Sequence, residues 1–138
     1  MSNNLSPYVV FNGQAREALE FWQSVLGGDV RIMTFGDMGA PAEQLGDMPA
    51  DFVMHGQLTT AAGWTIMAAD STKPGDEVVR GGMNLCVWGS DEETLARQFE
   101  AMSAGGTVNM PLEKQMWGAR YGDLTDKFGI SWGFNIEG

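Results

Sequence analysis

His55 is the one histidine in the chain, and histidine alone among side chains has an unperturbed pKa that changes its charge between pH 5 and 8. Pointed into a pocket, it is the best general base available. Held in a strand among apolar neighbours, it is a hydrogen-bonded structural residue. Carboxylates are numerous but scattered. Glu17, Glu20, Glu92, Glu93 and Glu100 fall on helical stretches and read as solvated faces. Asp70, Asp123 and Asp126 fall at or near strand ends. Asp126 reads as a turn former, whereas Asp70 has more chemical interest because its strand should edge a site. Cys86, the sole cysteine, has no internal disulfide partner. In mid-strand it reads as a small core residue rather than a nucleophile. Five tryptophans and ten methionines mostly supply core. Trp22 belongs to that group, while Trp117 follows a loop, precedes Gly118 and is placed to overhang a site.

The elements that must position these residues occur twice. Tyr8-Val9-Val10-Phe11, a helical run and Gly27-Gly28 are followed later by Leu85-Cys86-Val87-Trp88, a second helical run and Gly105-Gly106. The glycine pairs lie 78 positions apart in a chain of 138. At that offset Val9 falls on Val87, Ala18 on Ala96, Phe21 on Phe99 and Val30 on Val108. A duplicated half-domain puts the working site between the halves.

In the first half, Asn12-Gly13 signals a turn after the opening strand. Ala18, Phe21, Trp22 and Val25 then make one helical face, widened by Leu19 and Leu26. Gly27-Gly28 stops the helix, and a strand over 29–35 should follow. Residues 36–50, rich in Gly, Pro, Asp and Met, hold no period and read as a flap at a pocket mouth. Strands over 51–60 and 64–69 flank Ala62-Gly63, and residues 70–82 link the halves. In the second half, Ser90 and Glu93 read as a capping box. Leu95, Phe99 and Met102, with Ala96 beside them, form the helix's core face, and Gly105-Gly106 ends that helix. Thr107 to Met110 is a strand closed by Pro111. Strand, turn at 126–129 and strand complete a βαβββ order in each half.

Eighteen acidic against eight basic residues give a formal charge of −10. That field repels nucleic acid, and no basic stripe opposes it. No apolar run is long enough to cross a bilayer, and Met1 to Leu5 lack the makings of a signal peptide. The expectation is a cytoplasmic protein with neither nucleic acid nor membrane as partner.

Certain residues resemble a known family. They are Pro7-Tyr8 with Phe11-Asn12-Gly13, Ala18 with Phe21-Trp22, Leu26-Gly27-Gly28, Met54-His55, and Met67 to Asp70. The most specific are Met110-Pro111-Leu112-Glu113, Trp117-Gly118 and Thr125-Asp126-Lys127-Phe128-Gly129. Together they resemble the vicinal oxygen chelate superfamily of glyoxalases, bleomycin-binding proteins and dioxygenases, and within it the PhnB-like branch. The resemblance implies an α+β fold in one glyoxalase-like domain over residues 1–138. Module one covers about residues 5–70 and module two about 83–137, their curled sheets forming an open half-barrel cleft. It also implies four ligand positions in the metal-dependent members, falling here near Pro7, Met67, Asn84 and Gly133. Pro and Gly offer no donor, Met is a soft ligand, and Asn84 offers one neutral oxygen. A divalent catalytic site needs about three protein donors, so no metal and no cofactor are expected.

Alternation counted from Pro7 and Asn84 puts Val9, Phe11, Cys86 and Trp88 on the concave face. The expected lining is then Phe11, Met67, Asn84, Trp88, Trp117 and Tyr121, mostly apolar with few polar anchors, as small organic ligands usually meet. Two functions follow. The first is a metal-free protein of glyoxalase/bleomycin-resistance type that binds a small, partly aromatic or cationic molecule. The second is an enzyme of lyase, isomerase or dioxygenase type, with His55 as catalytic base and a weak or absent metal. Relatives of this fold often pair modules across chains, which implies a homodimer.

Overall fold

Ala15, Ala18, Leu19, Trp22 and Leu26 recur at helical spacing and form the buried side of α1, Ala15–Leu26. The face is rotated slightly from that expected, because Phe21 and Val25 stay half-buried at its margin. The computed structural model describes residues 3–37, 39, 49–71, 78 and 80–137. The chain divides into two compact units, Met1–Val78 and Val79–Gly138.

In the first unit, α1 follows β1 (Tyr8–Phe11) and precedes β2 (Asp29–Thr34), β3 (Val53–Thr59) and β4 (Thr65–Asp70). The sheet runs β1-β4-β3-β2. β1 lies parallel to β4, with Tyr8 opposite Met67 and Phe11 opposite Asp70, and the other pairs are antiparallel. One sheet face packs on α1 through Phe11, Leu58, Ile66 and Ala68, the Phe11 and Trp22 ring centroids lying 5.9 Å apart. The connection between β2 and β3 is closed at its base, where the Gly36 N–H donates to the Ala50 carbonyl at 2.8 Å. Most of the flap expected over 36–50 lies outside the described residues.

The second unit repeats the order: β5 (Leu85–Gly89), α2 (Glu92–Met102), β6 (Thr107–Lys114), β7 (Arg120–Thr125) and β8 (Ser131–Ile136). Its sheet runs β5-β8-β7-β6, again with the first strand parallel to the last. Leu95, Phe99 and Met102 of α2 are buried, and Phe99 meets Phe134 edge-on at 5.5 Å between centroids. Each unit is thus βαβββ with one four-stranded open sheet, an α+β fold.

Four local expectations are corrected. Phe11 is 1% exposed and lies in the helix-side core. Cys86 is exposed on the opposite face of β5 instead of filling core. The face was miscounted by starting from Pro7: Val9 and Val87, matched by the repeat, both point toward their helices, and side chains alternate from there. The N-cap of α2 is Asp91, whose carboxylate accepts the Thr94 N–H, so Ser90 stands one residue outside. Finally, Pro111 does not close β6, which continues to Lys114. β6 is the sheet edge and its register shifts twice, at Val108/Met110 and Met110/Glu113. A residue without an N–H is tolerated at such a place. The displaced β6 backbone lies over Gly122, where an added Cβ would stand 2.8 Å from the Leu112 backbone.

The second glycine of each pair has one shared role. A Cβ on Gly28 would collide with the Thr59 carbonyl oxygen at the end of β3. A Cβ on Gly106 would collide with the Thr125 carbonyl oxygen at the end of β7. The first pair ends its helix as expected, with Gly27 at φ 73°. The second does not, since α2 ends at Met102 and Gly105 lies in the turn beyond.

Candidate functional site

Each sheet has one face on its helix and one open face, and the register fixes what the open faces carry. In the first unit, pairing sets Val10, Ala69, His55 and Met33 in one row across the sheet, and Tyr8, Met67, Gln57 and Arg31 in the next. Tyr8 reaches diagonally over the narrow Ala69 position, and its hydroxyl lies 2.8 Å from His55 Nδ1. The two rings tilt at 54° with centroids 5.6 Å apart. A phenol can donate to Nδ1 or accept from an Nδ1 N–H, so the tautomer of the imidazole sets the direction of this bond. His55 is therefore half-buried and hydrogen-bonded on an open face that also exposes Tyr8, Val10 and Met33.

In the second unit, Cys86, Gly133, Asp123 and Met110 form one row, and Trp88, Asn135 and Tyr121 lie in the next. Trp88 is 64% exposed. Gly133 is where two expected site residues meet. A Cβ built there would stand 2.7 Å from the Tyr121 hydroxyl oxygen and 3.3 Å from Asn84 Nδ2. Beside them a pocket of about 470 Å³ is lined by Gly82, Met83, Asn84, Asn109, Asp123, Leu124 and Ser131. Its polar members form more of the wall than in the apolar cleft expected from strand alternation. Atoms crowding the partly open Cys86 side chain push its thiol pKa up, away from the thiolate a nucleophile needs.

The remaining carboxylates of interest are structural. Asp70 is buried, and its Oδ1 accepts the N–H groups of Gly13 at 2.7 Å and Ala15 at 3.1 Å. Its Oδ2 accepts the Val53 N–H at 2.8 Å. It thereby ties the turn before α1 and the start of β3 to the end of β4, and the chemical interest expected of it gives way to this role. Asp126 forms its turn as expected. Its Oδ1 takes the N–H groups of Phe128 at 2.9 Å and Ile130 at 3.0 Å, and its Oδ2 takes Trp132 Nε1 at 2.9 Å. Burial pulls the Arg80 pKa down, and the charge of Asp126 works against that shift.

Of the residues expected at a site, the second unit brings Asn84 and Tyr121 together over Gly133, with Trp88 one row along on the same face. Met67 and His55 share the open face of the first unit, in adjacent rows. Trp117 is exposed in the turn between β6 and β7, where the Gln115 N–H donates to the Ala119 carbonyl. Phe11 is separate, in the core. Sequence reasoning passed over Asp123, Asn109 and Ser131 as pocket residues, and Tyr8 as the partner of His55. Counting by twos from Tyr121 would have found Asp123. Asn109 and Ser131 depend on pairing, which no local pattern carries. Among the described residues, no three His, Cys, Asp or Glu side chains converge as a metal site would require.

This fold, two βαβββ units each with an open sheet face, is that of a known superfamily. The profile of the Glyoxalase/Bleomycin resistance protein/Dioxygenase superfamily matches residues 4–134, and the chain belongs to it. It is 28% identical to protein YjdN of Escherichia coli, over 96% of this chain and 94% of that one. Among solved structures it resembles protein PA1353 from Pseudomonas aeruginosa, at 32% identity and TM-score 0.81, covering 99% and 98% of the two chains. It also resembles the PhnB protein from Bacillus cereus, a putative 3-demethylubiquinone-9 3-methyltransferase. That similarity is 25% identity with TM-score 0.76, over 97% and 99%.

Proposed function

We propose that this chain is a metal-independent member of the superfamily that binds a small organic molecule on the open face of its second module. The observation that carries this reading is the environment of Gly133. At this inherited ligand position the Tyr121 hydroxyl and Asn84 amide stand where a side chain would begin, and a pocket of about 470 Å³ opens beside them. Pro7, Met67 and Asn84 supply no better donor set for a divalent ion, so the residues present do not fit the family's metal. Methyl transfer from a nucleotide cofactor lacks support as well. Both glycine pairs follow helices, whereas a glycine-rich phosphate loop sits between a strand and a helix.

Thermal-shift screening tests the binding function. A ligand at one hundred times its Kd adds about 2.7 kcal/mol to stability, which raises the melting temperature by several degrees. Failure of every aromatic and cationic candidate to do so refutes the reading. Elemental analysis of gently purified protein should find no stoichiometric divalent metal, and a retained one overturns the metal-free part.

A second reading rests on the Tyr8–His55 contact. A hydrogen-bonded imidazole on an open face is a general base or acid for lyase or isomerase chemistry. His55→Ala must then abolish turnover of whatever substrate is found, and retained turnover dismisses the enzyme.

The reading includes a homodimer in the cytoplasm. Support for the dimer comes from the exposure of Tyr8, Val10 and Met33 in one unit and of Met83, Trp88 and Met110 in the other. A single cysteine and the absence of a helix long and apolar enough to cross a membrane, among the described residues, are compatible with that location.

A further inference from the structure

We infer that the second-unit pocket selects an organic ammonium ion, with Asp123 as its charge partner. This rests on the binding function proposed above and specifies the ligand's chemistry. The first support is the inventory of acceptors. Asp123 lines the pocket with a half-buried carboxylate. Asn109 also lines it, and its Nδ2 donates to Thr125 Oγ1 at 3.0 Å, which leaves the amide oxygen as the free end. Ser131 adds a hydroxyl and Asn84 a second amide. A wall of carboxylate, carbonyl-type and hydroxyl oxygens suits a group that brings several N–H donors, and a primary ammonium brings three.

The second support is charge. Register places Asp123 and Glu113 on the open face of this sheet, and Lys114 and Arg120 on the helix side. Arg120 is paired there with Glu92 of α2. Among the described strand residues of this unit, no basic side chain competes for Asp123 on that face. The third support is the surface beyond the pocket. Trp88 and Tyr121 lie one row along from Asp123, and Met83, largely exposed, lines the rim. An apolar or aromatic body attached to the ammonium has surface to lie on, and aromatic faces attract cations as well.

The experiment compares benzylamine with benzyl alcohol, nearly isosteric probes that differ in charge. Binding is followed by calorimetry and by amide chemical-shift mapping of the intact chain. The wild type should bind benzylamine about tenfold tighter, the advantage of a charge-assisted over a neutral hydrogen bond, with shifts centred on Asn84, Asn109, Asp123 and Ser131. In Asp123→Asn the preference should vanish while benzyl alcohol binding stays. Glu100→Gln, which removes one exposed carboxylate from α2 and leaves the pocket lining intact, should retain it. Equal affinity for both probes overturns the ammonium inference and leaves the binding function standing. Benzylamine shifts centred elsewhere also overturn it. If neither probe nor any screened ligand binds, both fall together. An unfolded Asp123→Asn is recognised by its lost amide dispersion, and Asp123→Glu then takes its place, with retained amine preference expected and a lost one counting against the inference.

Discussion

Two buried aspartates do similar work at different places in the two modules, Asp70 at the end of the last strand of one and Asp126 in the turn after the third strand of the other. Asp70 holds three backbone N–H groups; Asp126 holds two and an indole. Removing either carboxylate leaves buried donors unsatisfied, and each such loss costs about 1–3 kcal/mol. Asp126→Ala should therefore lower unfolding free energy by about 3 kcal/mol or more, read from urea denaturation with the slope unchanged. A loss under about 1 kcal/mol, in the range of an ordinary surface change, contradicts the structural role. At Gly133 the prediction concerns a pair. Gly133→Ala alone should destabilise by about 1–3 kcal/mol through crowding, because its Cβ meets the Tyr121 hydroxyl. Tyr121→Phe in the same chain removes that oxygen and should recover part of the loss. A double-mutant cycle showing no coupling is the contrary result.

At the scale of elements, α2 starts on a charged cap. Hydrogen bonds from the Thr94 hydroxyl and the Thr94 N–H, in that order, hold Asp91 below its ordinary carboxylate pKa. A depressed folded-state pKa means stability that is fully present above the unfolded value and is lost as pH falls through the folded one. Asp91→Ala should lower the melting temperature at neutral pH, and the gap from wild type should close as the solution is acidified below the usual carboxylate range. A gap independent of pH rejects the charged cap. The glycine pairs belong to this scale too. Gly28 and Gly106 each let a β2 or β6 start pass against the carbonyl that ends the third strand of its module. Alanine at either position forces two backbone segments apart. Both variants should lose more stability than Gly63→Ala, whose added Cβ has nothing within 4 Å, although Gly28 and Gly63, unlike Gly106, also carry positive φ.

For the whole molecule, the expected outcome of sedimentation equilibrium is twice the chain mass, since folded monomers rarely leave so many large apolar side chains open on sheet faces. A monomer at micromolar concentration rejects the dimer. Much of the architecture was written along the chain. The βαβββ order, the helix core residues from Ala18 to Leu26 and Leu95 to Met102, and the turns at Asn12-Gly13 and Asp126 are local periodicity and turn chemistry, which short segments encode by themselves. The repeat even held the right strand parity in the match of Val9 with Val87, and only the count from Pro7 obscured it. What the sequence could not contain is which strands are neighbours. Pairing brings Tyr121 and Asn84 over Gly133, sets Tyr8 against His55 across 47 residues, makes β6 an edge that can carry Pro111, and gives Asp123 its place in a pocket. These contacts join residues distant in the chain, so their energies arise only when the sheets form. The sequence by itself determined a duplicated α+β scaffold, because helical periodicity, strand runs and turn residues are local signals. Tertiary structure alone decided which face of each sheet is open and which side chains share it.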